Sequence, residues 1–356
     1  MLNVHASPPC AKSTESVYPT LDIQSNTSLF ISHELRTPLT SIQGILGLLH
    51  SGQLGELSAE GQRLLTIALN NTQRLTRLAC AIERENTAAL TLLSPIEIEQ
   101  LQLENELCQA FIRNQLRLVY QPIVQINPRR ITSFEVLTRW HHPVKGEIPP
   151  SHFIPMAERS GIIHEIGLWV LEQACHQLAR WQQQVHPRSP LCISVNLSAV
   201  QLLQPDLPQQ VQQVLQASAI SPRSLRLEVT ETALIQNQPL AMTLLNDLRQ
   251  MGVQIYIDDF GTGYSSLARL QELPIDALKI DRSFIQAKRW DISEAIIHLA
   301  AKLGLEVIAE GIETAEHLFA LQTLGCQHMQ GYFFSKPVAA ETATALLESP
   351  LNSASE

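Results

Sequence analysis

The sequence predicts a mixed α/β chain: a (β/α)8 TIM-like barrel with an antiparallel first strand, preceded by an all-α helical hairpin. Three observations carry this. From residue 116 onward, short apolar runs of strand length alternate with longer stretches of helical period. The first two runs are joined only by Ile126-Asn127-Pro128-Arg129-Arg130, too short for a crossover helix, so they pair antiparallel. Before residue 93, apolar residues recur in steps of four and three, the period of packed helices.

At 356 residues and 39.7 kDa the chain exceeds a single core, and one large domain plus a small one is expected. Charged residues at 17% and hydrophobic residues at 45% describe a globular chain. A net charge of -9 argues against an electrostatic footprint for DNA and suits a site that gathers carboxylates around cations. The six cysteines have no CxxC pairing, which reads as reduced thiols in a cytosol. Met1 to Thr20 lacks an apolar core, and no run reaches the ~18 apolar residues of a membrane span. A cytoplasmic protein with no membrane span and no sensor ahead of its hairpin is the expectation.

Residues 1–25, rich in Ser, Thr and Pro, read as a disordered lead-in. Residues 26–92 form the hairpin. Ile31, Leu35, Pro38, Ile42, Ile45 and Leu49 make one seam; Leu64, Ala68, Asn71, Leu75, Leu78 and Ile82 make the other. One hairpin buries such seams poorly, so a homodimer closing a four-helix bundle is expected. In this register His33, followed by Glu34, falls on the outermost face. Residues 93–97 are a linker in which Pro95 stops the helix. The barrel spans 98–348, and 349–356 is a tail. A new helix covers Ile98–Arg113. Strands are expected at 116–124, 131–139, 191–196, 225–230, 252–258, 276–281, 305–310 and 326–330. The helices between them include Ile166–Gln184, Ala199–Ala217, Leu240–Met251 and Glu294–Leu303.

The strand ends are polar in the inward phase, where a barrel built for stability alone would carry Val, Ile and Leu. Strand two offers Glu135 and Arg139; strand three ends at Asn196; strand four carries Glu228 on the same face as Arg226. Strand five ends in Asp258, with Asp259 where the strand passes to a Gly-rich loop. Strand six places Lys279 and Asp281 together, strand seven ends at Glu310, and strand eight ends at Gln330. Glu135, Asn196, Glu228, Asp258 and Asp259 are hard oxygen donors without His or Cys, which suits Mg²⁺ or Mn²⁺. So many carboxylates can hold two ions about 4 Å apart, with Asp258 bridging, as in-line phosphoryl displacement requires. Lys279 orients a water, offsets charge or pairs with Asp281. Glu310 is a candidate general base, and Arg139 can meet a phosphate as a fork.

Phe30-Ile31-Ser32-His33-Glu34-Leu35-Arg36-Thr37-Pro38-Leu39 resembles the H-box of histidine kinase dimerisation and phosphoacceptor domains. That resemblance implies a phosphoacceptor at His33 and a partner histidine kinase or response regulator. Asp259-Phe260-Gly261-Thr262-Gly263 imitates the DxGxG element of the kinase ATP-binding domain. No Asn-rich box precedes it and no second Gly-rich lid follows, so that domain is not expected here.

The barrel resembles the EAL-domain phosphodiesterases, which linearise cyclic di-GMP. The resemblance rests on Tyr120-Gln121-Pro122-Ile123, Glu135-Val136-Leu137-Thr138-Arg139-Trp140, Asn196-Leu197-Ser198, Glu228-Val229-Thr230-Glu231, Asp258-Asp259-Phe260-Gly261, Leu278-Lys279-Ile280-Asp281, Ala309-Glu310-Gly311-Ile312-Glu313 and Gln330-Gly331-Tyr332-Phe333. It implies metal ligation by Glu135, Asn196, Glu228, Asp258 and Asp259, with Lys279 and Glu310 beside the attacking water. It implies support from Gln330 and Glu313, substrate contacts from Gln121 and Arg139, and Glu231 as anchor of the loop 259–266. The implied product is linear pGpG. Val136 replaces the family's Ala; it faces away from Glu135, so it removes no ligand and at most crowds the layer beneath the helices. Two other outcomes stay open: a non-catalytic cyclic di-GMP receptor, and a phosphotransfer scaffold acting through His33.

Overall fold

The computed structural model describes residues 103–104, 106–111, 113–184, 190–234, 237–262 and 267–348, together with Leu39, Ile42, Leu46, Leu49, Gly61, Leu65, Ala68 and Thr72. His33, the lead-in, the linker 93–97, the tail and Gly263–Ser266 lie outside the described residues. The chain divides into two units, Met1–Leu101 and Gln102–Glu356.

In the first unit every described position is helical. Leu39, Leu65 and Thr72 are buried, whereas Ile42, placed on the seam by its spacing, is 45% exposed. Leu49 and Ala68, also on the expected seam, are half-buried.

The second unit is a closed barrel. Its strands are β1 (Leu116–Gln125), β2 (Arg130–His142), β3 (Gly146–Ile148), β4 (Cys192–Leu197), β5 (Leu225–Thr230), β6 (Gln254–Phe260), β7 (Ala277–Ile280), β8 (Glu306–Ala309) and β9 (His328–Gln330). The sheet runs β1-β9-β8-β7-β6-β5-β4-β2-β3, and an antiparallel β1–β2 pair closes it. β1 is antiparallel to both neighbours, and the strands from β2 round to β9, with β3 set aside, pair in parallel. β3, a three-residue extension of the β2 hairpin, was not expected; its Gly146 takes a positive φ that lets the chain reverse after His142.

The period of two separates two apolar layers. Phe134, Val136, Ile193, Val195, Leu227, Ile255, Ile257, Leu278 and Ala309 face the helices and join the main core. Val136 is thus buried behind β2, opposite Glu135. Ile123, Tyr256, Ala277 and Ile308 form a separate cluster of the other phase, filling the bore. The polar residues of that inward phase sit one step further along each strand.

The helix expected over Ala199–Ala217 is two helices, Ala199–Leu202 and Leu207–Ser218. Pro205 explains the break, since it offers no backbone donor and disfavours a helical residue before it. The first turn is held by a capping box between Ser198 and Gln201.

Gly331 follows Gln330 where the chain crosses Ile312. A Cβ at Gly331 would lie 2.1 Å from the Ile312 carbonyl oxygen and 2.2 Å from its nitrogen. Both are backbone atoms, tied further by the bond from Ile312 N–H to the Gln330 carbonyl at 3.0 Å. Gly331→Ala is expected to lower the unfolding free energy by about 1–3 kcal/mol or more. A urea titration checks this, and an unchanged midpoint would contradict the packing described.

Candidate active site

The site is organised around Lys279 on β7, whose side chain is fully buried. Its Nζ lies 2.6 Å from Glu228 Oε2, 2.6 Å from Glu310 Oε1, 3.1 Å from Asp258 Oδ1 and 3.5 Å from Glu135 Oε2. β5, β8, β6 and β2 thus converge on one ammonium. Burial alone would strip its proton, but the carboxylates outweigh burial and hold its pKa well above the ordinary range. The pairing with Asp281 considered from sequence does not form. Asp281 caps the helix Arg282–Gln286, accepts from Ser283 N–H at 3.0 Å and shares a hydrogen bond with Asp259.

The carboxylates are not equivalent. Burial pushes Glu228 up to about 8, with Lys279 opposing and Glu135 and Asp258 adding to the rise. Burial likewise raises Glu310 well above the usual carboxylate range, and Lys279 offsets only part of this. At Glu135 burial also pushes upward, but Lys279 and two donors outweigh it and the net shift is down. Those donors are Asn196 Nδ2, 2.8 Å from Oε1, and Gln330 Nε2, 2.6 Å from Oε2. Gln330 also donates to Gln121 Oε1 at 3.0 Å, and Gln121 donates to the Ser335 carbonyl at 3.2 Å. Gln121, implied as a substrate contact, here completes a chain of amides that orients Glu135.

Asp258 and Asp259 solve a geometric problem. In a regular strand adjacent side chains point to opposite faces. Here the β6–β7 register shifts between Ile257 and Phe260, and Asp259 adopts φ +52°, a left-handed conformation that Asp tolerates better than most residues. This bulge lies inside β6, which continues to Phe260 rather than ending at Asp258. Oxygen atoms of Asp258, Asp259 and Glu310 consequently lie within 4.8 Å of one another. Burial, Asp258 and Asp281 raise Asp259 to about 6.

The donors fit a hard cation. Glu135, Glu228, Asp258, Asp259 and Glu310 set five carboxylates against the one ammonium of Lys279. Glu228 Oε1 and Asp258 Oδ1 are buried without hydrogen-bond partners, Lys279 approaching the latter outside hydrogen-bonding geometry. Orphaned carboxylate oxygens are costly to bury, and a divalent ion would satisfy them. Asn196 commits its amide N–H to Glu135 and is otherwise open to the mouth. All donors are oxygens, the preference of Mg²⁺ or Mn²⁺.

The remaining predicted residues lie around this cluster. Arg139 is further along β2, where Nε is 3.5 Å from Glu147 Oε1 and Nη1 donates to the Thr138 carbonyl at 3.0 Å. Glu231 is buried in a 3-10 turn immediately after β5. Glu313 is exposed outside the cluster and accepts from Gln286 Nε2 at 3.0 Å, joining the turn after β8 to the helix after β7.

Comparison with known proteins agrees with this geometry. Residues 104–337 match the EAL domain family, and residues 28–79, which include His33, match the His Kinase A (phospho-acceptor) domain. The cyclic di-GMP phosphodiesterase NbdA of Pseudomonas aeruginosa is 43% identical over 245 residues, covering 67% of this chain and 31% of that protein. The oxygen sensor protein DosP of Escherichia coli (strain K12) is 40% identical over 259 residues, 71% of this chain and 32% of that protein. The chain therefore spans about a third of the length of these relatives. The solved structure of the PaMucR phosphodiesterase in complex with c-di-GMP superposes with a TM-score of 0.65 at 41% identity, covering 68% of this chain and 99% of that one. The FimX EAL domain from Pseudomonas aeruginosa bound to c-di-GMP gives 0.60 at 27% identity, over 68% and 97%. With the ends of β2, β5, β6 and β8 converging on Lys279 and a family match over residues 104–337, the chain belongs to the EAL domain family.

Proposed function

We propose that the barrel hydrolyses cyclic di-GMP to linear pGpG with the help of two Mg²⁺ or Mn²⁺ ions. The observation that carries this is the ring of carboxylates around the buried Lys279, with oxygens of Glu228 and Asp258 left unbonded. The phosphodiesterases NbdA and MucR among its relatives support the same substrate.

Glu135, Asn196, Glu228, Asp258 and Asp259 would hold the ions. When bound, the ions supply Lewis-acid chemistry, drawing charge from the phosphoryl oxygens and lowering the pKa of water. The rest is done by the chain. Glu310, with its raised pKa, takes the proton of the attacking water. Lys279 fixes Glu310 at 2.6 Å and offsets the charge gathering at the phosphorus. Gln121 and Gln330 keep Glu135 from turning. Arg139, released from Glu147, offers a fork to a phosphate. Glu231 and Asp281 brace the loop after Asp259, and Glu313 braces the turn that carries Glu310.

Removing divalent ions with a chelator should abolish hydrolysis of cyclic di-GMP, and Mg²⁺ or Mn²⁺ should restore it. Full turnover in the chelator would sink the metal reading.

The His Kinase A match favours a second role at the other end of the chain. There the hairpin dimerises, and His33 receives a phosphoryl group from a partner kinase or passes one to a response regulator. His33→Ala should leave basal hydrolysis intact and abolish labelling by a partner kinase.

A further inference from the structure

We infer that Arg226, at the floor of the barrel, is a positioning residue for the carboxylate layer above it. This rests on the metal-binding reading proposed above. Arg226 precedes Glu228 by two residues on β5, so both point into the bore. It is only 8% exposed. Its Nη1 donates to Ser133 Oγ at 2.7 Å, and its Nε donates to Gln254 Oε1 at 3.2 Å. The guanidinium lies over the Tyr256 ring, 5.0 Å from its centroid.

These contacts repeat one offset. Ser133 precedes Glu135 by two residues on β2, and Tyr256 precedes Asp258 by two on β6. One side chain thus touches the residue directly beneath two proposed ligands and lies itself beneath a third. Tyr256 extends the link by donating from its hydroxyl to Glu306 Oε2 at 3.3 Å, at the start of the strand that leads to Glu310.

β2 and β5 are not neighbours, because β4 lies between them. Ladder hydrogen bonds set the spacing of adjacent strands, but only a side chain inside the bore can tie strands across a third. The β4 residue in register with Arg226 is Ser194, whose small side chain leaves room for the guanidinium to pass. Arg226 bonds to a hydroxyl and an amide and stacks on a ring, all neutral partners. Its fork geometry, more than its charge, fixes the distance between the strands that bear Glu135, Glu228 and Asp258. Groups behind a metal's ligands tune affinity through that geometry.

The test is Mn²⁺ binding to the full chain, followed by calorimetry without substrate and well below the unfolding midpoint. Arg226→Lys keeps the charge but cannot bridge both partners. Ser133→Ala removes only the far anchor and keeps the test open should the lysine variant not fold. Roughly tenfold weaker Mn²⁺ binding is expected for each. Wild-type affinity in folded variants, even with a lowered unfolding midpoint, would overturn the inference and leave the metal reading standing. A wild type that binds no Mn²⁺ would overturn both.

Discussion

Lys279→Met is expected to abolish hydrolysis of cyclic di-GMP and to destabilise the barrel. Methionine matches the aliphatic stem but leaves Glu228, Glu310, Asp258 and Glu135 facing one another without their shared cation. Removing one partner of a buried ion pair costs about 3–5 kcal/mol. Proton uptake moderates this, because burial already favours the neutral form of Glu228 and loss of the opposing ammonium favours it further. Added Mg²⁺ should recover part of the lost stability, since it supplies positive charge to the same oxygens. It should not recover turnover, because the ammonium's position between Glu228 and Glu310 is lost. Urea unfolding with and without Mg²⁺, alongside an activity assay, checks both halves. Wild-type turnover in the folded variant would remove Lys279 from the proposed mechanism.

Glu310→Gln should separate chemistry from binding. The amide keeps the shape and can still meet Lys279 through its oxygen, but it cannot take a proton from water. Turnover should fall by roughly 10²–10⁴, the usual contribution of a general base. Cyclic di-GMP affinity should stay near that of the wild type, because the other donors in the mouth are untouched. Equal loss of binding and turnover would assign Glu310 to the substrate or the ions. Unchanged turnover would exclude it as the base.

Much of this arrangement is legible in the sequence, for a physical reason. Inward positions in a small barrel are normally filled by Val, Ile or Leu, so Glu135, Glu228, Asp258, Lys279 and Glu310 stand out against the period of two. The antiparallel start follows from the short link before Arg130, which holds no helix. Other features depend on departures from that period and are invisible to it. Alternation sends Asp258 and Asp259 to opposite faces, and only the bulge at Asp259 turns them together. Arg226 shares a face with Glu228, but its place at the floor depends on how the strands are staggered. Lys279 and Asp281 share a parity, yet β7 ends at Ile280 and Asp281 becomes a helix cap. The break before Leu207 was marked in advance by Pro205, a signal the apolar spacing of the surrounding residues concealed.

The amide chain from Gln121 through Gln330 to Glu135 shows how closure of the barrel serves the site. β1 and β9 are the first and last strands, and their antiparallel pairing puts Gln330 and Gln121 side by side against β2. The ends of the fold are thereby tied to the proposed ligand on β2, whose orientation depends on the barrel being shut.

The most direct test is to incubate the purified chain with cyclic di-GMP and Mg²⁺ and to separate the nucleotides by chromatography. Steady conversion to one linear dinucleotide, pGpG, is expected. Recovery of the cyclic nucleotide intact, while it remains bound to the protein, would contradict hydrolysis and identify the barrel as a receptor.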